Sequence, residues 1–432
     1  MANLLIVSRD QVRVRMAAPG IRCAEMARTL AAAGHRVTLA IPNKPEVSLE
    51  EVEQIGSWSQ RFQTAVRTSD AVIIGGAGHH LRPMPDIPDS VPFVVDMSFP
   101  LVLEVLAVSQ RARDVWPPAV PPEDLVQRMT TYLRDADFLM CASDQQRDFY
   151  LGCLTALGRV GEHLLREDPT LRQLLAVVPF GCPEELPMRT GPGARERIPG
   201  IAADDLLLLW SGSLGDWYDP ATVVHAVARA AERLPAVRLV FIGAKSGEQH
   251  LPETATSTRT RQLASDLGLL NRHVFFEDSW VPYEERANWL CEADAAIVAS
   301  LPSLESELAV RTRFLDYIWC ATPVICTRGG AYANLVDSKQ LGIAVNVGDA
   351  DAMASAIVTM AEPARRVAMK QRIEAARPDF TWPHVMQPLL DYCARPRQAS
   401  DRATMARRPQ PRTRGRKPGA LHQLRARLRL GK

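Results

Sequence analysis

The chain has 432 residues, 47% hydrophobic and 23% charged, with a formal net charge of +2. At roughly 100–200 residues per domain this predicts two domains, and no run of ~18 apolar residues is present to span a bilayer. The charge is uneven: residues 395–432 carry thirteen Lys/Arg and one acid, a balance of +12, so the rest of the chain carries 2 − 12 = −10. Eight cysteines without a C-x2-C pair, several inside apolar runs, predict reduced core thiols. The start MANLLIVSRD enters a strand with no basic leader, and the expected location is cytoplasmic.

Residues 3–8 (NLLIVS) read as a buried strand, IRCAEMARTLAAA as a helix with Gly34 just past its end, and RVTLAI as the next strand. This βαβ opening has no G-x-G-x-x-G, so no dinucleotide fingerprint is expected. Gly20 at the helix entry either lets a ligand approach or belongs to a plain Pro/Gly turn. Short apolar strands follow at AVIIGG (71–76), PFVVDM (92–97), DFLMCAS (137–143) and LLAVVPF (174–180), as in a parallel sheet covered on both faces. Their loops carry His79, a candidate base or an exposed loop residue. Asp96 sits at the expected ligand edge, as a catalytic group or a loop cap.

The Pro/Gly-rich stretch 186–205 reads as a linker between a first domain, 1–185, and a second, 206–378. In the second, LLLLW is a strand, SGSLGDWY a Gly/Ser loop with Gly212 and Ser213, and Asp219-Pro220 a strong helix start. VRLVFIGAK is a strand ending near Lys245. The chain is organised around Asp294–Gly330, a strand–helix–strand unit whose polar loop holds Glu305, Glu307, Arg311, Thr312 and Arg313. With Thr312 as N-cap, Arg311 and Arg313 crowd the positive end of a helix, which makes sense around an anion. The alternative is a longer helix capped at Ser303, with Glu307 and Arg311 as an i,i+4 pair. The whole order predicts an α/β chain of two doubly wound sheets facing across a cleft. Residues 379–394 read as a terminal helix and 395–432 as a disordered basic tail. That tail has no aromatic residue, so nucleic acid is not expected as a partner.

The pieces APGIRCAEMARTLAAAGH, SGSLGDWYDP, WVPYEERANWLCEADAAI and ESELAVRTRFLDYIWCATPV resemble glycosyltransferase family 4, of the GT-B fold. CASDQQRDFYLGCL, VPFGCP and FTWPHV are similar to one bacterial branch of it. The resemblance spans roughly residues 3–393. It implies two Rossmann-like domains, retaining transfer from a nucleotide-diphosphate sugar without a bound metal or other cofactor, and a terminal helix that crosses back to the first domain. The donor is implied in the second domain and a glycan or lipid-linked acceptor in the first, in cell-surface glycan or glycolipid synthesis.

By the same resemblance, Asp316 stands where the family's second Glu meets the ribose, and Glu305 or Glu307, with Glu305 favoured, meets the donor sugar. Asp96 stands near a usual His. The family's diphosphate-gripping Arg/Lys pair is missing, which leaves Arg311, Arg313 and Lys245 as candidate cations. The rival readings are a GT-B sugar-nucleotide epimerase and a degenerate, non-catalytic binding protein. The basic tail, with Leu421, Leu424, Leu428 and Leu430 among arginines, suits weak contact with anionic lipid on the inner membrane face.

Overall fold

The computed structural model describes residues 1–402 except 15, 58, 76–84, 112–121, 244–253 and 280. The first sheet contains β1 (Asn3–Ser8), β2 (Arg36–Ile41), β3 (Val52–Gly56), β4 (Ala71–Gly75), β5 (Phe93–Asp96), β6 (Phe138–Cys141) and β7 (Leu175–Val177), in the order β3-β2-β1-β4-β5-β6-β7. The second contains β8 (Leu206–Ser211), β9 (Val237–Ile242), β10 (Val274–Glu277), β11 (Ala295–Val298), β12 (Val324–Thr327) and β13 (Gly342–Val345), in the order β10-β9-β8-β11-β12-β13. The pairings around both reversal points are parallel. Central strands are covered on both faces: Leu4, Leu5, Ile6, Leu207, Leu208 and Leu209 are fully buried. Strand order reverses between β1 and β4 and between β8 and β11, and the crevices beyond the carboxyl ends there are where such sheets bind ligands.

β3 is absent from the sequence reading. It is an edge strand whose sequence, VEQIG, buries only Val52 and Ile55, so it lacks the continuous apolar run of its neighbours.

Residues 186–205 are not a free linker. Arg195 donates to Glu292 O (2.8 Å) and Asp205 O (2.9 Å), Thr190 N donates to Asn288 Oδ1 (2.7 Å), and a Cβ on Gly193 would lie 2.5 Å from Asn288 O. This segment is part of the second domain's surface. The two crossings between domains lie side by side instead: Cys182 N donates to Phe380 O (2.7 Å) and Trp382 N to Cys182 O (3.0 Å).

The terminal helix Gln387–Ala394 lies on the first domain, with Tyr392 stacked on Phe138 at 4.6 Å between ring centroids. The tail does not begin at 395. Asp401 forms a two-pronged ion pair with buried Arg159 (2.8 Å for each bond), and Asp137 accepts from Ala399 N (2.9 Å) and Arg402 (2.5 Å). Composition alone could not show that the acid at 401 meets a buried arginine more than 200 residues away. Residues 403–432 lie outside the described residues.

Candidate functional site

The β8–β11 crevice gathers the polar loop foreseen in the sequence. β8 ends at Ser211, and the chain turns at Gly212, whose φ of +95° is a conformation glycine tolerates. A Cβ on Gly212 would sit 3.2 Å from Arg313 Nη2. A Cβ on Gly243, at the end of β9 with φ +72°, would lie 3.3 Å from the Cα of Gly212. The two glycines thus let two loops and one guanidinium converge. Arg313 donates from Nη2 to the carbonyl of exposed Ser213 (3.0 Å) and packs over the rings of Tyr218 (4.2 Å to centroid) and Trp210 (5.2 Å). Its Nη1 is buried with no hydrogen-bond partner. A buried cationic donor left unpaired is costly, and this one lies beside an exposed Gly/Ser loop at the ligand edge of the sheet.

Arg311 is engaged differently. Its Nη1 and Nη2 form a fork with Glu305 Oε1 (2.8 Å) and Oε2 (2.7 Å), and Nη2 also reaches Ser306 Oγ (3.3 Å). Glu305 is 2% exposed. Its carboxylate is therefore paired with Arg311 and Ser306, which gives Glu305 a structural role in the loop beside the expected contact with the donor sugar. The expected i,i+4 pair of Glu307 with Arg311 does not form. Glu307 is exposed, and its Oε2 accepts from Gly330 N (3.3 Å) at the start of the helix Gly330–Lys339.

The helix question resolves into two pieces. Ser303 Oγ accepts from Ser306 N (3.0 Å) and caps Leu304–Leu308; a second helix covers Arg313–Trp319. Thr312 flanks that second helix in αR geometry, with no capping bond from its side chain, contrary to its expected role.

Asp316 is one turn along. Its Oδ1 accepts from Arg286 Nε (2.8 Å), and its side chain remains 28% exposed. Burial pushes its carboxyl above the usual range, and Arg286 pulls it back. Arg286 is itself sandwiched between Tyr283 (3.5 Å to centroid) and Trp319 (4.2 Å). It lies in the WVPYEERANWL stretch, where it could have been noticed as a lone buried cation but was not.

Asp96 lies below the cleft, 3% exposed. Its Oδ2 accepts from Arg22 Nε (2.7 Å), and its Oδ1 accepts from Ser98 N (3.2 Å) and the Ser98 hydroxyl. Arg22, fully buried, also donates to Pro179 O and Val178 O (2.7 Å each). This pair ties the first helix to the ends of β5 and β7, so Asp96 has a structural role there whatever its expected part in catalysis. Asp96→Asn should lower stability by about 1.5–3 kcal/mol, the worth of hydrogen bonds to a charged group, and leave nucleotide binding unchanged; urea melts with and without nucleotide check both. Gly20 is explained by the chain itself, since a Cβ there would lie 2.3 Å from Gln11 O. His79 and Lys245 lie outside the described residues.

The group sequence reading missed is Glu104, in the helix Leu101–Arg111 that follows β5. It faces the second domain. Burial and then the nearby Glu305 push its carboxyl up to about 7, against an opposing pull from Arg311. The domains touch here: Gln146 Nε2 donates both to Ser98 O (2.9 Å) in the first domain and to Leu308 O (2.8 Å) in the second. The folded chain holds the Glu104 proton more tightly than the unfolded chain, so from pH 4.5 to about 7 this group makes stability fall as pH rises. Glu104→Gln should flatten that part of the stability–pH curve, measured as urea midpoints on either side of the window.

Among the described residues, no group of three or more His, Cys, Asp or Glu is placed to hold a metal ion, and no helix is long and apolar enough to cross a membrane. All eight cysteines are free.

Two doubly wound parallel domains joined by paired crossings, with a last helix returning to the first, form the GT-B fold. Residues 205–362, most of the second domain, match the family described as glycosyl transferases group 1. A D-inositol 3-phosphate glycosyltransferase of Acidothermus cellulolyticus is 27% identical over 221 residues, 50% of this chain and 47% of that protein. Its counterpart in Mycolicibacterium paratuberculosis is 30% identical over 193 residues, 44% of this chain and 40% of that protein. The chain thus spans about half the length, or less, of these curated relatives. Among solved structures, Anabaena HepE in complex with UDP-glucose superposes with a TM-score of 0.63 at 15% identity, over 91% of this chain and 100% of that one. WaaG, a glycosyltransferase involved in lipopolysaccharide biosynthesis, does so with a TM-score of 0.59 at 16% identity, over 91% and 100%.

Proposed function

We propose that the chain is a retaining glycosyltransferase that takes a nucleotide-diphosphate sugar in its second domain and transfers the sugar to an acceptor held by the first. The observation that carries the reading is Arg313. It is a buried guanidinium with an unpartnered Nη1, at the reversal point of the sheet in a domain that matches the glycosyl transferases group 1 family. Breaking the anomeric C–O bond develops negative charge on the leaving diphosphate, and a preorganised cationic donor stabilises that charge in a dry site. Arg313 takes this role. Arg311 supports it indirectly, because its charge is matched by Glu305 and the pair holds the loop rigid. Of the two loop glutamates, Glu307 is the exposed one, and it meets the donor sugar hydroxyls. Asp316 reads the ribose with the part of its carboxylate that Arg286 leaves accessible.

A thermal-shift panel of nucleoside diphosphates and nucleotide sugars tests the reading, since a ligand that binds only the folded state raises the melting temperature. UDP and UDP-glucose head the panel because the HepE complex contains UDP-glucose. At least one pair should shift the midpoint upward; a flat panel would overturn the reading.

The same reading places the enzyme on the cytoplasmic face of a membrane, in cell-surface glycan or glycolipid synthesis. Residues 403–432 carry ten Lys/Arg and no acid, and each cation near an anionic surface contributes about 1 kcal/mol. Full-length protein is expected to sediment with anionic vesicles at low salt and to release at high salt, while a chain ending at 402 stays in the supernatant. Equal behaviour of the two would remove the tail from membrane binding.

A further inference from the structure

We propose that Cys291 and Cys320 form a redox pair that a peroxide or a disulfide oxidant closes to a disulfide, and that closing it weakens nucleotide binding in the second domain. The two residues end neighbouring helices, Arg286–Leu290 and Arg313–Trp319. Three contacts hold those helices side by side. Arg286 Nε donates to Asp316 Oδ1 (2.8 Å), the Arg286 guanidinium packs over the Trp319 ring (4.2 Å to centroid), and Thr322 Oγ1 donates to Leu290 O (3.1 Å). The last of these joins the residue just before one cysteine to the turn just after the other. The thiols meet at those joined ends, where the Cys320 S–H donates to the Cys291 sulfur.

The two sulfurs are unequal. Cys291 is half-buried, whereas Cys320 is 5% exposed. The bond from Cys320 holds the Cys291 thiol below the usual thiol range against the cost of burial, and the exposed cations Lys370 and Arg189 add to it. Burial, and then the facing Cys291, push the Cys320 thiol up. The thiolate is the nucleophile, and neighbouring cations on a reachable sulfur favour it. Cys291 is accordingly the attacking sulfur and Cys320 the resolving one.

With hydrogen peroxide as the oxidant, the Cys291 thiolate attacks one peroxide oxygen and the O–O bond breaks. Cys291 becomes a sulfenic acid, and the released hydroxide takes up the proton that the thiol gave away and leaves as water. The Cys320 sulfur then attacks the sulfenic sulfur. The S–S bond forms, the S–OH bond breaks, and the hydroxide leaves with the Cys320 proton as a second water. The two thiols together lose two electrons, and one peroxide is reduced to two waters. A dithiol reopens the bond by thiol–disulfide exchange.

The pair reaches the nucleotide through Asp316. A disulfide is ~2.05 Å long, shorter than any hydrogen bond between two sulfurs, so its formation draws the two helix ends together. Cys320 N donates to Asp316 O (3.0 Å), and the Asp316 carboxylate is tethered to Arg286 on the neighbouring helix. Moving those ends shifts the carboxylate. This second step rests on the reading that Asp316 meets the ribose; the disulfide itself does not.

The test exposes full-length protein to hydrogen peroxide or glutathione disulfide, blocks the remaining thiols with N-ethylmaleimide and maps the cross-linked peptides. The first disulfide to form should join Cys291 to Cys320 and reopen with dithiothreitol. Dimedone should label Cys291 in Cys320→Ser, where no resolving thiol remains, and should not label Cys320 in Cys291→Ser. In the reduced chain iodoacetamide should alkylate Cys291 roughly ten-fold faster than half-buried Cys153, whose thiol burial pushes up. By calorimetry the oxidised wild type should bind UDP about ten-fold more weakly, the scale of one lost hydrogen bond to a charged group. Dithiothreitol should restore that affinity, and Cys291→Ser should keep it through the same treatment. A different first disulfide, or none, overturns the pair. The Cys291–Cys320 bond with unchanged UDP affinity overturns the switch. If the reduced chain does not bind UDP, the glycosyltransferase reading fails and the switch with it, while the peptide map still decides the pair.

Discussion

Arg313→Ala should weaken nucleoside diphosphate binding by roughly ten- to a hundred-fold. The estimate follows from the worth of a hydrogen bond to a charged group, about 1.5–3 kcal/mol, at about 1.4 kcal/mol per factor of ten. Arg313 gives one nitrogen to Ser213 O and leaves Nη1 without a partner, so a diphosphate gains a bond that the folded protein does not have to break. Arg313→Lys should recover only part of the affinity, because an ammonium cannot serve both Ser213 O and a phosphate oxygen in the same planar fork. Calorimetric titration of UDP into the three proteins checks both statements. Wild-type affinity in the alanine variant, with the fold intact, would remove Arg313 from the site.

The second large effect is on stability. Arg311→Ala leaves the Glu305 carboxylate, 2% exposed, without its counter-charge. Removing one partner of a buried pair costs about 3–5 kcal/mol, much of it from the orphaned charge. Replacing both, as in Arg311→Met with Glu305→Leu, should recover most of that loss because no charge then remains buried alone. Urea unfolding of the single and double variants gives the comparison directly. A single variant within ~1 kcal/mol of wild type would mean that water reaches Glu305 and that the pair is a surface feature.

The fold was readable because its strands are buried on both faces. AVIIGG, LLLLW and DAAIVAS are continuous apolar runs closed by glycine or polar loops, and that pattern has few other solutions. The edge strand VEQIG escaped because an edge needs only two buried side chains. The polar loop 303–316 was recognisable from its density of charge, but its internal pairing was not. Arg311 chooses Glu305 over Glu307 because the chain breaks between Leu308 and Arg313 and abandons helical spacing there. Asp96 and Arg22 are 74 residues apart, and local sequence contains no sign that they meet. Nothing local marks Glu104; only the approach of the second domain, with Glu305 and Arg311, makes it unusual.

The most direct measurement is photoaffinity labelling of the full-length protein with a 5-azido-UDP-sugar, followed by mapping of the labelled peptides. The account predicts labelling confined to the second domain, in peptides that include residues 211–219 or 303–316, and suppressed by excess UDP. Labelling in the first domain, or labelling that excess UDP does not suppress, would contradict it.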